Sequence, residues 1–227
     1  MTQQRITGLS AEELEDLLQL LPRIFCDYRD PRRGPYKLAF IFGNTIDNEM
    51  SSFLRAVELA KTAETKSLGV SEGSLGFGYE GYDHSVGLLK ALGLKDTFPI
   101  VKFDVGGNVN TGFEAKVLAE HAKSIAGGGR DGGDIAIIAT PFHIVRAFMT
   151  TVTALKRNGD IPVWVYAVPG IPLPWTEEAV HSQGTLKKKR KELLVSELQR
   201  LEKYRAPEFG GMLSAREVIN YLDWRDS

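Results

Sequence analysis

Two spacings of hydrophobic positions alternate along this chain. Short, nearly continuous apolar runs occupy Lys37 to Phe42, Ser67 to Ser71, Pro99 to Phe103, Asp134 to Ala139 and Ile161 to Val168. Runs of this length suit strands covered on both faces, which have no need to alternate apolar with polar positions. Between them the pattern changes to helical spacing, with Met50, Phe53, Leu54 and Val57 on one face, a helical stretch from Asp83 to Leu92, and helices opening at Thr111 and at Thr140-Pro141. Strand and helix alternate five times, which predicts a mostly parallel sheet with helices on both faces, an α/β three-layer sandwich. In such sheets ligands bind beyond the carboxyl ends of the strands, where strand order reverses.

The flanks read differently. Ser10 and Glu13 have capping-box spacing ahead of Leu14, Leu17, Leu18 and Leu21, so a lead-in helix is expected, stopped by Pro22. After Pro169 come Pro172, Pro174 and Trp175, then a helix expected from about Thr185 to Tyr204 and a last helix capped by Ser214 with Glu217. The expected organisation is a helical lead-in over 1–36, an α/β core over 37–170 and a helical extension over 171–227 packed on the core.

The stretch from Ile135 to Arg146 concentrates the candidate chemistry. Thr140 can cap the next helix, Pro141 suits its first position, and His143 and Arg146 project from the first turn, where unpaired N–H groups and the helix dipole attract anions. Three positions apart, the two side chains share a face. Asn110, Thr111 and Glu114 open another helix at the same edge, with Thr111 and Glu114 at capping-box spacing. An arginine there can grip a phosphate or carboxylate with two prongs, and Glu114 can pair with it or accept a proton. The alternative is an Arg–Glu salt bridge that only locks two helix starts together.

Composition narrows the classes. With 43% hydrophobic and 25% charged residues among 227, the chain can build one large domain, and its formal net charge of -1 argues against nucleic-acid binding through a general positive field. The single Cys26 excludes an internal disulfide and a cysteine zinc cluster. None of His84, His121, His143 and His181 pair at the spacing of a helical metal site, so no metal is expected. The first residues lack a signal-peptide core and no apolar run approaches membrane-span length, so a cytoplasmic protein is expected. Gly127 to Gly133 precedes a strand and so reads as a surface connection, not a phosphate loop. The stretch Gly73 to Gly81 follows a strand and reads equally as a ligand-contacting loop or a linker, while Lys187 to Lys191 reads as a solvated helix face.

Asn110-Thr111, Glu114, Thr140-Pro141-Phe142-His143 and Arg146, in this order and spacing, resemble the SanA/YdcF/ElyC-like family from about Lys37 to Pro169. Gly43-Asn44, Arg55, Ser71 with Gly73, and the later Glu197, Arg200, Leu201 and Tyr204 extend the likeness. The resemblance implies a Rossmann-like sheet with a polar pocket at its carboxyl edge and, without a membrane anchor, the soluble YdcF-like branch, which is linked to S-adenosylmethionine. The resulting expectation is a binder of a small anionic or nucleotide-like molecule, S-adenosylmethionine being one candidate, held by Gly43, Asn44, Ser71, Gly73, Asp104, Asn110, Thr111, Thr140, His143 and Arg146. Two rival expectations are a hydrolase or transferase for a phosphorylated or nucleotide-linked substrate, with His143 and Glu114 catalytic, and an envelope-related regulatory or interaction module.

Overall fold

The computed structural model describes residues 9–72, 78–106, 110–125, 133–159, 163–181, 186–207 and 210–227. Five strands, β1 (Leu38–Ile41), β2 (Leu68–Glu72), β3 (Ile100–Asp104), β4 (Asp134–Ala139) and β5 (Trp164–Pro169), form one sheet in the order β3-β2-β1-β4-β5. Every pairing is parallel, with Ala39 opposite both Leu68 and Ala136, and Ile135 opposite Val165. The helices are α1 (Ala11–Phe25), α2 (Ile46–Lys61), α3 (Gly81–Ala91), α4 (Thr111–Ile125), α5 (Ile144–Arg157), α6 (Arg190–Arg205) and α7 (Ala215–Asp226). This is a Rossmann-like three-layer sandwich.

Alternation along each strand divides the core in two. Leu38, Phe40, Ile135, Ile137, Val165 and Ala167 pack toward α1, α4, α5 and α7, whereas Ala39, Ile41, Val70, Ala136 and Ile138 pack toward α2 and α3. Both faces are apolar because both are covered, hence the continuous runs in the sequence. The outer edge of β5 is also closed. Val165 N–H donates to the Tyr221 hydroxyl at 2.8 Å, Ala167 N–H to Asp27 Oδ2 at 2.8 Å, and Arg225 Nη1 reaches the Val165 carbonyl at 2.8 Å while pairing with Asp27. Side chains thus satisfy backbone groups that an exposed edge would offer to another chain.

Two elements differ from the expectation. Helix α1 runs through Pro22 to Phe25, burying Leu17, Leu20 and Ile24 while Leu14 and Leu18 stay exposed. A proline this far into a helix forfeits one hydrogen bond and crowds the carbonyl four residues earlier, and the fully buried Ile24 beyond it helps to offset that cost. Second, an antiparallel hairpin of β6 (Glu178–His181) and β7 (Leu186–Lys189) precedes α6. Lys187 to Lys189 therefore lie on a strand, and Arg190 is buried, donating to Asn48 Oδ1 at 3.0 Å and to the Asp47 carbonyl at 2.6 Å. The hairpin is secured to α2, where the Thr45 hydroxyl (2.6 Å) and Asn48 Nδ2 (2.9 Å) both donate to the Val180 carbonyl. Gly73 and the glycines from Gly127 to Gly129, in stretches expected to be loops, lie outside the described residues. The capping boxes of α1 and α7 form as expected.

Gly69 in β2 tests the packing of the first core face. A Cβ there would stand 2.8 Å from Phe103 Cε2 and 2.9 Å from Phe40 Cδ2, two rings already packed edge to face at 4.9 Å. Gly69→Ala should lower unfolding free energy by about 1–3 kcal/mol through overpacking, read from the urea midpoint at unchanged slope.

Candidate functional site at the carboxyl edge of the sheet

Strand order reverses between β1 and β4, and the segments that leave them flank the crevice where ligands of parallel sheets bind. After β4 the chain makes a turn before it coils. The Thr140 carbonyl accepts from His143 N–H at 2.9 Å and Ile144 N–H at 3.0 Å, so α5 starts at Ile144 with His143 at its cap. The expected side-chain cap at Thr140 is not made, and its fully buried hydroxyl has no hydrogen-bond partner. The turn through Pro141 moves the helix start past the reach of that hydroxyl.

The second expected cap is replaced as well. Asn110 caps α4, its Oδ1 accepting from Gly112 N–H and Phe113 N–H at 3.0 Å each. Glu114 turns inward instead of closing a capping box, and its Oε1 accepts from Gly43 N–H at 2.7 Å and from the Ser71 hydroxyl at 2.7 Å. One buried carboxyl thereby ties α4 to the ends of β1 and β2. Burial pushes the Glu114 carboxyl above its ordinary range, against the opposing pull of Ser71, Gly43 and Arg146. The Thr111 hydroxyl, released from capping, accepts from Arg146 Nη1 at 2.7 Å and lies 3.2 Å from His143 Nε2. That hydroxyl has one proton to donate and two lone pairs, so it can serve the guanidinium and the imidazole together.

Arg146 does not pair with Glu114. Its ion pair is with Glu197 of α6, with Nε 2.5 Å from Oε2 and Nη2 3.3 Å from Oε1. His181, at the end of β6, donates from Nε2 to Glu197 Oε1 at 2.7 Å, and Arg200 Nε lies 3.8 Å from the same oxygen. The His143 and His181 rings meet edge to face at 5.7 Å. Burial alone would raise the Glu197 carboxyl, but the Arg146 charge and the hydrogen bond from His181 outweigh it and hold the group well below the usual carboxylate range. Burial, reinforced by the Arg146 charge, lowers His143 well below an ordinary histidine. A neutral imidazole therefore stands beside a paired, charged guanidinium.

Among the described residues, a larger and a smaller hollow open at this edge. The larger, about 810 Å³, is lined by Asn110, Thr111, His143 and Arg146 together with His181, Lys116, Arg157, Arg200, Tyr79 and Tyr204. The smaller, about 40 Å³, adjoins Gly43, Asn44 and Ser71, and Tyr79 borders both. The expected residues thus divide. Asn110, Thr111, His143 and Arg146 share the large cavity, Gly43, Asn44 and Ser71 lie at the small hollow, and Glu114 and Thr140 are buried outside both. Asp104 is exposed, its Oδ1 accepting from Gly106 N–H at 2.8 Å. Lys116, Arg157 and His181 carried no signal in the sequence, since isolated basic residues on long helices and a lone histidine beyond the core look like surface. Glu197 and Arg200 were visible only as part of the family-like pattern.

Fold and site together define a parallel α/β protein with a cationic cavity at the carboxyl edge of its sheet. No protein-family model, curated protein or solved structure matches the chain.

Acidification should weaken the fold through His143. An unfolded histidine takes up a proton near pH 6.5, whereas the folded one resists it, so stability present above that value is withdrawn as pH falls toward the lowered folded pKa. Urea midpoints between about pH 6.5 and 5 should decline in the wild type and decline less in His143→Gln. Arg146→Ala should cost about 3–5 kcal/mol at neutral pH, because it leaves the Glu197 carboxylate buried without its main counter-charge. Arg157→Gln, on the exposed end of α5, should leave the thermal midpoint nearly unchanged.

Proposed function

We propose that the chain binds a small anionic, nucleotide-like molecule in the large cavity. The supporting observation is its charge. Lys116, Arg146, Arg157 and Arg200 line it, and no carboxylate does so among the described residues. At about 810 Å³ it lies within the range of roughly 300–1,000 Å³ typical of small-molecule sites. Phe113, Tyr79 and Tyr204 offer aromatic surface for a base, and arginines offer two-pronged contact to phosphate.

The positive charge comes from side chains more than from helix ends. Asn110 occupies the Gly112 and Phe113 amides, and the Thr140 carbonyl occupies those of His143 and Ile144. Such a lining favours a phosphate-bearing ligand over S-adenosylmethionine, whose sulfonium and ammonium are themselves positive. The residues behind the likeness to the SanA/YdcF/ElyC-like family support the same place, since Asn110, Thr111, His143, Arg146, Arg200 and Tyr204 all border the cavity. The hydrolase or transferase reading has one observation in its favour, a neutral His143 on the cavity wall, poised to accept a proton.

Calorimetric titration with a nucleoside, its mono- and triphosphate and S-adenosylmethionine tests the proposal. Affinity should rise with phosphate number and fall with added salt, and Lys116→Gln with Arg157→Gln should weaken nucleotide binding by about tenfold. Equal affinity for nucleoside and nucleotide, or no loss in the double variant, would reject the assignment. Slow turnover of the bound nucleotide, abolished in His143→Gln with affinity kept, would move the conclusion to the enzyme reading.

A further inference from the structure

The back wall of the cavity holds three ligand-type side chains that the anion reading does not use. His143 comes from the start of α5, His181 from the end of β6 and Glu197 from the middle of α6. Each offers one ligand atom, and the three atoms lie within 4.8 Å of one another. All three residues are buried, and both histidines face the cavity while Glu197 stands behind them. The geometry points to a binding site for a late first-row divalent metal ion of the zinc type, held by His143, His181 and Glu197 with one coordination position open to the cavity.

Two imidazoles and one carboxylate are a donor set that zinc uses where a fourth position is left for water or substrate. A tetrahedral ion with bonds of about 2.0–2.1 Å separates its ligand atoms by roughly 3.3–3.4 Å. The present contacts bracket that spacing, with His181 Nε2 and Glu197 Oε1 at 2.7 Å and all three atoms within 4.8 Å. Small side-chain adjustments would admit an ion in place of the proton that His181 now shares with Glu197, and that proton would leave to solvent.

The neighbours resemble a supporting shell. Arg146 holds the Glu197 carboxylate mainly from its other oxygen, 2.5 Å from Oε2 with a longer contact of 3.3 Å to Oε1, which orients the group with Oε1 toward His181. Burial keeps His143 neutral, the form that donates a lone pair to a metal. Arg146 and Arg200 also limit which ion fits. With the one carboxylate already neutralised by guanidinium, the site offers little negative charge to magnesium or calcium, which demand several oxygen ligands, while nitrogen donors suit zinc, cobalt or nickel. The adjacent cationic lining would bring an anionic oxygen to the open position. The metal site stands on its own three residues and does not depend on the anion reading.

The test uses the untagged full chain stripped with chelator and then titrated with Zn²⁺ or Co²⁺ alone. A single bound ion is expected, with the intense visible bands of tetrahedral cobalt, while Mg²⁺ leaves the melting temperature unchanged. His143→Gln and His181→Gln keep a hydrogen-bonding amide in place of each ring and should each lose about 100-fold or more in zinc affinity, with His121→Gln, half-buried on α4, unaltered. Nitrogen NMR of the wild-type imidazoles provides a readout independent of the variants, with the His143 and His181 signals shifting on zinc addition. Absence of zinc binding by the wild type, equal binding by the glutamine variants, or shifts confined to other histidines would each overturn the site. Nucleotide titration of the metal-free chain separates this outcome from the anion proposal.

Discussion

The buried Arg146–Glu197 ion pair joins the two parts of the chain that build the cavity. Taking two charges out of water carries a desolvation penalty of several kcal/mol per ion after relaxation, offset only where geometry is good and the remaining donors and acceptors are satisfied. Here the guanidinium has Glu197 on one side and the Thr111 hydroxyl on another, and the carboxylate has His181 in addition. Thr111 opens α4, Arg146 lies in the first turn of α5, and Glu197 and His181 belong to the chain beyond the sheet. One pair therefore sets the distance between the carboxyl edge and the C-terminal segment.

Glu114 performs a complementary task on the sheet side. By accepting from Gly43 N–H and the Ser71 hydroxyl, it closes the ends of β1 and β2 and turns α4 so that Thr111 faces Arg146. The two glutamates are buried to a similar depth yet experience opposite fields. Glu114 has neutral donors and is pushed toward its protonated form, whereas Glu197 has cations on several sides and stays ionised.

The sheet was legible in the sequence because burial on both faces leaves apolar runs too short for helices and bounded by turns. The convergence of Asn110, Thr111, His143 and Arg146 was legible too, since parallel strands deliver all their following loops to one edge. What sequence could not show was the partner of each polar group. Thr111 and Glu114 have capping-box spacing, but Asn110 one residue earlier takes the cap, and Glu114 finds a better-buried donor pair in the sheet. The lysine run hid the β6–β7 hairpin because its polar residues fit a solvated helix equally well, and the tertiary contacts of Val180, Ala179 and Arg190 decide it. Glu197 could not be matched to Arg146 from spacing alone, because 51 positions separate them.

The attachment of the β6–β7 hairpin to α2 has a consequence for how the protein is made. His181 is held at the cavity, with Glu197 behind it, by a hairpin whose Val180 is hydrogen-bonded to Thr45, Asn48 and Asp47, far earlier in the sequence. During synthesis the sheet strands emerge first and have their own core, but the concave surface beside Arg146 lacks one wall until the later β6–β7 hairpin and α6 have left the ribosome and folded back. Any molecule that requires the finished concavity favours the folded-back arrangement by mass action, so occupancy and the last stage of maturation are a single equilibrium.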